Sequence, residues 1–227
     1  MTPRRKEGLS NLKERIINTA WKQIAESGAA ALSLRAIARE LGVTAPAIYN
    51  YFADRDALVT ALIIEAYLSF GDSQLAACNA VPANDLIGRM LATGIAYRQW
   101  AVEHPQRYQL IFGTPIPGYV APFEQVFPSA ARALGAIVNV VEGLRASDRL
   151  RVEDFPQPGP GYKIQFEAWK VSGGDADILA LSVAVLIWSR VHGLVSLEIS
   201  GNLPAFGPQG EALYRYELNS LVQQFIK

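Results

Sequence analysis

The sequence predicts an all-α protein with a small N-terminal helical head and a larger helical body. Three observations carry that prediction. Apolar residues recur at spacings of three and four through most of the chain, and no stretch sustains the strict alternation of a half-buried strand. Breakers separate the periodic segments at Gly28, Gly42, "NAVPAN" (79–84) and "FPQPGPG" (155–161). Half of the 227 residues are apolar and only 19% are charged, so the chain can bury a large core.

The elements follow in order. From Leu12 to Glu26, the residues Leu12, Ile16, Ile17, Ala20, Trp21, Ile24 and Ala25 fall on one apolar helical face. Gly28 is the stop. Ser33 is suited to cap "LRAIAREL", since its hydroxyl can take up a free N–H of the first turn. Gly42 ends that helix, at a position that calls for a left-handed residue. Thr44 can cap a short third helix, with Pro46 tolerated in its first turn. A long fourth helix runs from about Asp54 to Cys78, with Asp54 as N-cap and Asp56 in the turn that favours acids.

After "NAVPAN" the pattern predicts helices over Asp85 to Glu103, Pro105 to Phe112 and Pro122 to Arg145. Residues 146–173 show no clear period and read as a long loop or lid. Helices resume over Asp175 to Ile199 and Gly210 to Phe225. The organisation expected is a head (1–53), a connecting helix (54–78) and a body (79–227).

Several function classes find no support. The single Cys78 excludes an intramolecular disulfide framework. Two histidines, one cysteine and no spaced carboxylate cluster give no metal site. No Gly-rich phosphate loop is present, so no cofactor is expected, and no constellation of nucleophile and base suggests an enzyme. The N-terminus "MTPRRKEGLSNLKER" has no apolar stretch behind its basic residues, unlike a secretory signal. The longest apolar run, Ile178 to Trp188, has 11 residues and is too short to span a bilayer. A soluble, cytoplasmic protein without a membrane partner is therefore expected. Net charge is zero, yet residues 1–60 hold nine Lys/Arg against six Asp/Glu, while the rest is acidic by the same margin. A mildly basic head suits contact with a polyanion.

Residues 33–52 read as two short helices joined by a tight turn. Ala38 is small enough for a close crossing, Gly42 supplies the turn, and Ile37, Leu41, Val43, Ile48 and Phe52 seat both helices. This is the spacing of a helix-turn-helix, whose second helix enters the DNA major groove. Thr44, Tyr49 and Tyr51 can then donate to phosphates, which fix register. Ala45, Pro46 and Ala47 allow close approach to base edges, and Asn50 can read a base or hold a phosphate. Arg35 and Arg55 flank the site and add salt-sensitive attraction, with Arg4, Arg5 and Lys6 as a basic tail. Tyr49 and Tyr51 also suit an aromatic interface with another protein.

"LSLRAIARELGVTAPAIYNYFADRDAL" resembles the DNA-binding head of the tetracycline-repressor (TetR) family of bacterial regulators. Tyr51 stands where that family usually has His, and Arg55 where Lys is usual; both keep a donor. "YRQWAVEHPQRYQLIFG" and "IWSRVHGLVSLEISG" resemble, less specifically, the C-terminal domain of a TetR subgroup named for a Trp, His, Gly signature, here Trp188, His192 and Gly193. The resemblance implies an all-helical homodimer that binds small apolar or amphipathic effectors in its C-terminal domain and then leaves its operator.

Tyr97, Trp100, Tyr108, Phe112, Phe123, Phe127, Trp188 and His192 are the candidate pocket residues, although such a set also makes ordinary core. The two last helices are the candidate dimer interface, through Leu186, Val195, Leu213 and Leu221, as an isologous four-helix contact. The expected function is a DNA-binding transcriptional regulator, a repressor of an inverted-repeat operator in double-stranded DNA. The alternative is a helical ligand-binding protein whose head docks another protein.

Overall fold

The structure, a computed structural model, describes residues 4–151, 153, 155–156, 158–203 and 210–227. Among these the secondary structure is ten α-helices, one 3₁₀ turn (Ala29–Ala31) and a single isolated bridge between Leu150 and Ile226. The helices are α1 (Arg4–Ser27), α2 (Leu34–Leu41), α3 (Ala45–Tyr49), α4 (Arg55–Asn79), α5 (Leu86–Glu103), α6 (Pro105–Phe112), α7 (Phe123–Ala146), α8 (Pro160–Gly173), α9 (Ile178–Ile199) and α10 (Gly210–Phe225).

Two elements differ from expectation. α1 begins at Arg4, not near Leu12, so the backbone of the expected basic tail is helical. Its first turns are rich in good helix formers that carry no apolar period. The expected loop 146–173 contains α8, which Gly159 and Pro160 open. Its apolar residues do not share a buried face: Phe166 is enclosed, whereas Ile164 and Val171 are exposed at 73% and 86%. A helix that turns part of its apolar content outward leaves no stripe to detect.

The chain packs as two compact units. One comprises the residues up to Ala66 together with Gln106–Val126; the other comprises Tyr67–Pro105 and Phe127–Lys227. The division falls inside α4, after the first residue of α6, and inside α7.

In the first unit Ile16, Ala20 and Ile24 of α1 are buried with Leu34, Ile37 and Ala38 of α2, Ile48 of α3 and Leu58, Val59 and Leu62 of α4. A polar cluster ties α1 to α4 and α6. The Trp21 indole donates to Glu65 Oε1 at 3.2 Å, and Arg107 pairs with the same carboxylate at 3.1 Å. The Arg107 guanidinium lies over the Trp21 ring at 4.8 Å from its centre.

In the second unit α9 packs on α10 and α5. By length and composition alone α9, with 22 residues, is long and apolar enough to cross a membrane, its most apolar 18-residue window having a mean hydropathy of 1.9. Ala180, Leu181, Val183, Ala184, Ile187, Val191 and Val195 are nevertheless buried against the chain's own helices. Arg190 and Glu198 of the same helix are ion-paired, with Glu217 and Arg98 respectively. α9 is thus packed against α10 and α5 of its own unit. At Gly71 of α4 an added Cβ would stand 3.0 Å from the Cα of Ala133, so α4 and α7 meet at backbone distance.

Candidate nucleic-acid interface and internal cavity

The helix-turn-helix is held by local rules. Ser33 Oγ accepts the Ala36 N–H at 3.4 Å, and the Ser33 N–H is taken up by Gln23 Oε1 at 3.4 Å. Gly42 adopts φ 66°, ψ 29°, in the left-handed region. Its N–H reaches Arg39 O at 3.2 Å, and the Val43 N–H reaches Ala38 O at 3.0 Å, closing the last carbonyls of α2. A side chain at Gly42 would meet nothing within 4 Å, so the demand for glycine is conformational. Gly42→Val is expected to destabilise the protein by about 2 kcal/mol, near the left-handed cost for an L-residue, while Gly42→Asn costs much less. Denaturant unfolding of both variants checks this; equal stability of Val and Gly would contradict it.

α3 is five residues long and is seated by Ile48, which is fully buried. Its other positions point outward to differing degrees. Thr44, Pro46, Tyr49 and Asn50 are exposed, and Ala45 and Ala47 are half-buried. Thr44 stands at the N-cap position but its hydroxyl makes no capping bond. Arg35 is exposed on α2. These seven residues make one outward set of small, hydroxylated and amide side chains beside a cation.

Tyr51 and Arg55 are oriented differently. The Tyr51 hydroxyl is enclosed, without a hydrogen-bond partner among the described residues. Arg55 Nη2 donates to Ala29 O at 3.3 Å and to Ala30 O at 3.2 Å. Arg55 therefore ties the start of α4 to the turn after α1, a role that motif spacing did not reveal.

The second unit holds a small apolar pocket of about 20 Å³. Gln74 of α4, Met90, Thr93, Gly94 and Tyr97 of α5, Ile137 of α7, Ile187, Trp188 and Val191 of α9, and Leu218 of α10 line it. Tyr97 and Trp188 were expected there from sequence. The Tyr97 hydroxyl lies 2.8 Å from His192 Nδ1, and His192 Nε2 lies 3.3 Å from Ser196 Oγ. The Trp188 and His192 rings are 4.9 Å apart. Burial pushes the His192 imidazole below its ordinary pKa, which favours the neutral ring.

The remaining aromatic candidates lie elsewhere. Trp100 is buried, packs on Phe70 at 4.9 Å and donates to Ser69 Oγ at 3.0 Å. Phe127 meets the Trp169 ring edge-on at 6.0 Å. Tyr108 and Phe112 pair at 5.1 Å in the first unit, where Phe123 is 63% exposed. Of the four expected dimer residues, Val195 and Leu221 are fully enclosed within one chain and present no surface to a second copy. Leu186 is 45% exposed and Leu213 half-buried. Among the described residues no group of three or more His, Cys, Asp or Glu is placed to hold a metal ion.

Comparison with known proteins gives a consistent picture. Residues 16–62 match the family described as bacterial regulatory proteins, tetR family, and residues 90–221 match the tetracyclin repressor-like C-terminal domain. An HTH-type transcriptional regulator of Mycobacterium tuberculosis is 33% identical over 203 residues, spanning 89% of this chain and 86% of that protein. The crystal structure of the regulatory protein SCO4313 is 37% identical, covers 98% of this chain and 100% of its own, and superposes with a TM-score of 0.78. A transcriptional regulator from Saccharomonospora viridis, solved in complex with choline, shares the fold at 15% identity, with a TM-score of 0.69 over 96% of this chain and 99% of its own.

Proposed function

Because the chain belongs to the TetR family of bacterial DNA-binding transcriptional regulators, which are not enzymes, we propose that it is a cytoplasmic homodimeric repressor released by a small apolar or amphipathic ligand. The observation that carries the reading is the outward face of α3. A helix seated by Ile48 alone and faced with Thr44, Pro46, Tyr49 and Asn50 suits entry into the major groove. Ala45 and Ala47 keep the backbone near the base edges, and Arg35 adds attraction to the phosphates. In this reading Tyr51 fills space behind the groove helix, and Arg55 fixes the start of α4 to the turn after α1 by bonding Ala29 and Ala30.

Dimerisation follows from the reading mechanically, since one five-residue helix contacts few base pairs and a two-fold pair reads an inverted repeat. Leu186 on α9 and Leu213 on α10 support an interface formed by those helices, together with Tyr216, which is 72% exposed. An effector within 79–227 acts by population shift. It favours one conformation of the second unit, and α4, whose residues 55–66 pack in one unit and 67–79 in the other, carries the change to the head. The choline held by the Saccharomonospora viridis protein supports a ligand site within this fold.

The test is the salt dependence of binding to a selected operator. A dimer that neutralises several phosphates gives a log–log slope steeper than about −4. A shallow slope, or binding to a protein instead, would favour docking through Tyr49.

A further inference from the structure

We propose that Arg107 of α6 is a positioning residue for DNA reading: through Glu65 and Trp21 it fixes the angle between the head helices and α4, and with it the half-site spacing that the protein accepts. This rests on the reading of the protein as a two-headed DNA-binding regulator and adds to it a residue outside the helix-turn-helix.

The head helices are packed in series, α1 on α2 and α2 on α3. Two side-chain ties join them to α4. At its start Arg55 donates to Ala29 O and Ala30 O, and further along Glu65 Oε1 accepts the Trp21 indole N–H at 3.2 Å. Between positions 55 and 65 a helix rises about 15 Å. One tie fixes a point on α4, whereas two that far apart fix its direction across the head. The buried side chains between them, Leu58, Val59 and Leu62, make apolar contacts, which carry no direction of their own.

The second tie depends on Arg107. Its Nη1 stands 3.1 Å from the same Glu65 oxygen, and its guanidinium covers the Trp21 ring at 4.8 Å from the centre. Each of the three side chains therefore touches the other two. The indole gives its edge to the carboxylate and its face to the cation, so both contacts set its orientation. Without Arg107 the Glu65 carboxylate is free to turn to water, and the indole loses its acceptor. All three residues lie in the first unit, although Arg107 follows α5 in the chain.

The cluster is placed to direct rather than to stabilise. The Arg107 and Glu65 side chains are 26% and 35% exposed, and ion pairs that solvent reaches contribute little to stability. The angular demand of the hydrogen bond remains.

The full-length protein is tested by anisotropy on its selected operator and on the same operator with one base pair inserted between the half-sites. The insertion shifts one half-site by about 3.4 Å and turns it by roughly 35°. The wild type is expected to bind the altered site at least about tenfold more weakly, in the range that a wrong base pair costs. Arg107→Met, which keeps the aliphatic stem, should melt within about 3 °C of the wild type. Its preference for the selected spacing should fall about fivefold or more, the scale of coupling within one network. Trp21→Phe keeps the ring, removes the N–H and should relax the preference likewise. The double variant should go no further than either single one, because the contacts act as a unit. Arg107→Lys keeps the charge without the plane over the indole and should fall between Met and wild type. A role in stability alone lowers affinity for both operators equally. An unchanged preference in Arg107→Met and Trp21→Phe would therefore overturn the proposal with the regulator reading intact, as would a wild type indifferent to the insertion. A wild type that selects no inverted repeat would remove that reading and this inference with it.

Discussion

Ala47→Glu is expected to abolish operator binding while leaving the fold in place. Ala47 lies in the middle of α3, half-buried at the edge of the outward set, with its N–H bonded to Thr44 O at 3.0 Å. A glutamate there extends from the side of α3 proposed to face the groove, on a helix that has no lysine or arginine of its own. Its carboxylate enters a groove walled by phosphates, and like charges brought together across an interface cost several kcal/mol. The groove contact that a methyl side chain permits is lost as well. A homodimer carries the substitution twice per operator. Affinity should fall by at least about a hundredfold, equivalent to roughly 2.7 kcal/mol. Stability should barely change, because Ala to Glu at a partly exposed helical site costs only a few tenths of a kcal/mol. Fluorescence anisotropy with labelled operator, beside thermal denaturation, measures both quantities. Unchanged DNA affinity would remove α3 from the groove.

The second large effect concerns the ion pair between α5 and α9. Arg98 Nε donates to Glu198 Oε2 at 2.8 Å and Nη2 donates to Oε1 at 2.6 Å, a two-pronged bond between side chains each 15% exposed. That bond holds the Arg98 guanidinium above its already high pKa. Glu211 Oε2 of α10 stands 3.8 Å from Arg98 Nη1. The Glu198 carboxylate also sits against the first residue of α10, since a Cβ on Gly210 would lie 2.7 Å from its carboxyl carbon. A helix N-terminus favours an anion at that place. Arg98→Met leaves Glu198 largely buried with its cation gone. The expected loss is about 2–4 kcal/mol, below the figure for a fully enclosed pair because some solvent reaches both groups. In a protein of this size that lowers Tm by roughly 5–15 °C. The double substitution Arg98→Met with Glu198→Leu should recover most of the loss, because the cost lies in the orphaned charge. Chemical denaturation of the wild type, each single variant and the double variant completes the cycle. A single variant within about 0.5 kcal/mol of wild type would place the pair among ordinary surface contacts.

The parts of the fold governed by local chemistry were readable from the chain. Ser33, Gly42 and Asp54 each satisfy a rule that involves only their neighbours, and Asp54 Oδ1 accepts the Ala57 N–H at 2.7 Å as an N-cap does. Helices α6 and α10 begin and end where Pro105 and Gly210 lead the pattern to expect. What was not readable depends on residues distant in sequence. The side chain of Arg55 is held by the carbonyls of Ala29 and Ala30, 26 and 25 positions earlier, and that bond has no signature in its own neighbourhood. The cavity draws Gln74, Thr93, Ile137 and Leu218 from four helices, so aromatic residues, the usual markers of a pocket, identified only Tyr97 and Trp188 of its lining. One signal was available. Gly94 lies inside α5, where glycine costs about 1 kcal/mol relative to alanine unless close packing requires it. Its closeness to Leu218 is that packing. Helix α8 was missed because its exposed Ile164 and Val171 scatter the apolar pattern that marks a helix.

The central claim is that two copies of this chain read DNA through α3. The most direct measurement is selection of binding sites from a random duplex pool by the purified full-length protein. Two heads related by two-fold symmetry predict an enriched inverted repeat, its half-site centres about 10 base pairs or a multiple of that apart. Enrichment of a site without two-fold symmetry, or no enrichment by a folded dimer free of bound ligand, would contradict the claim.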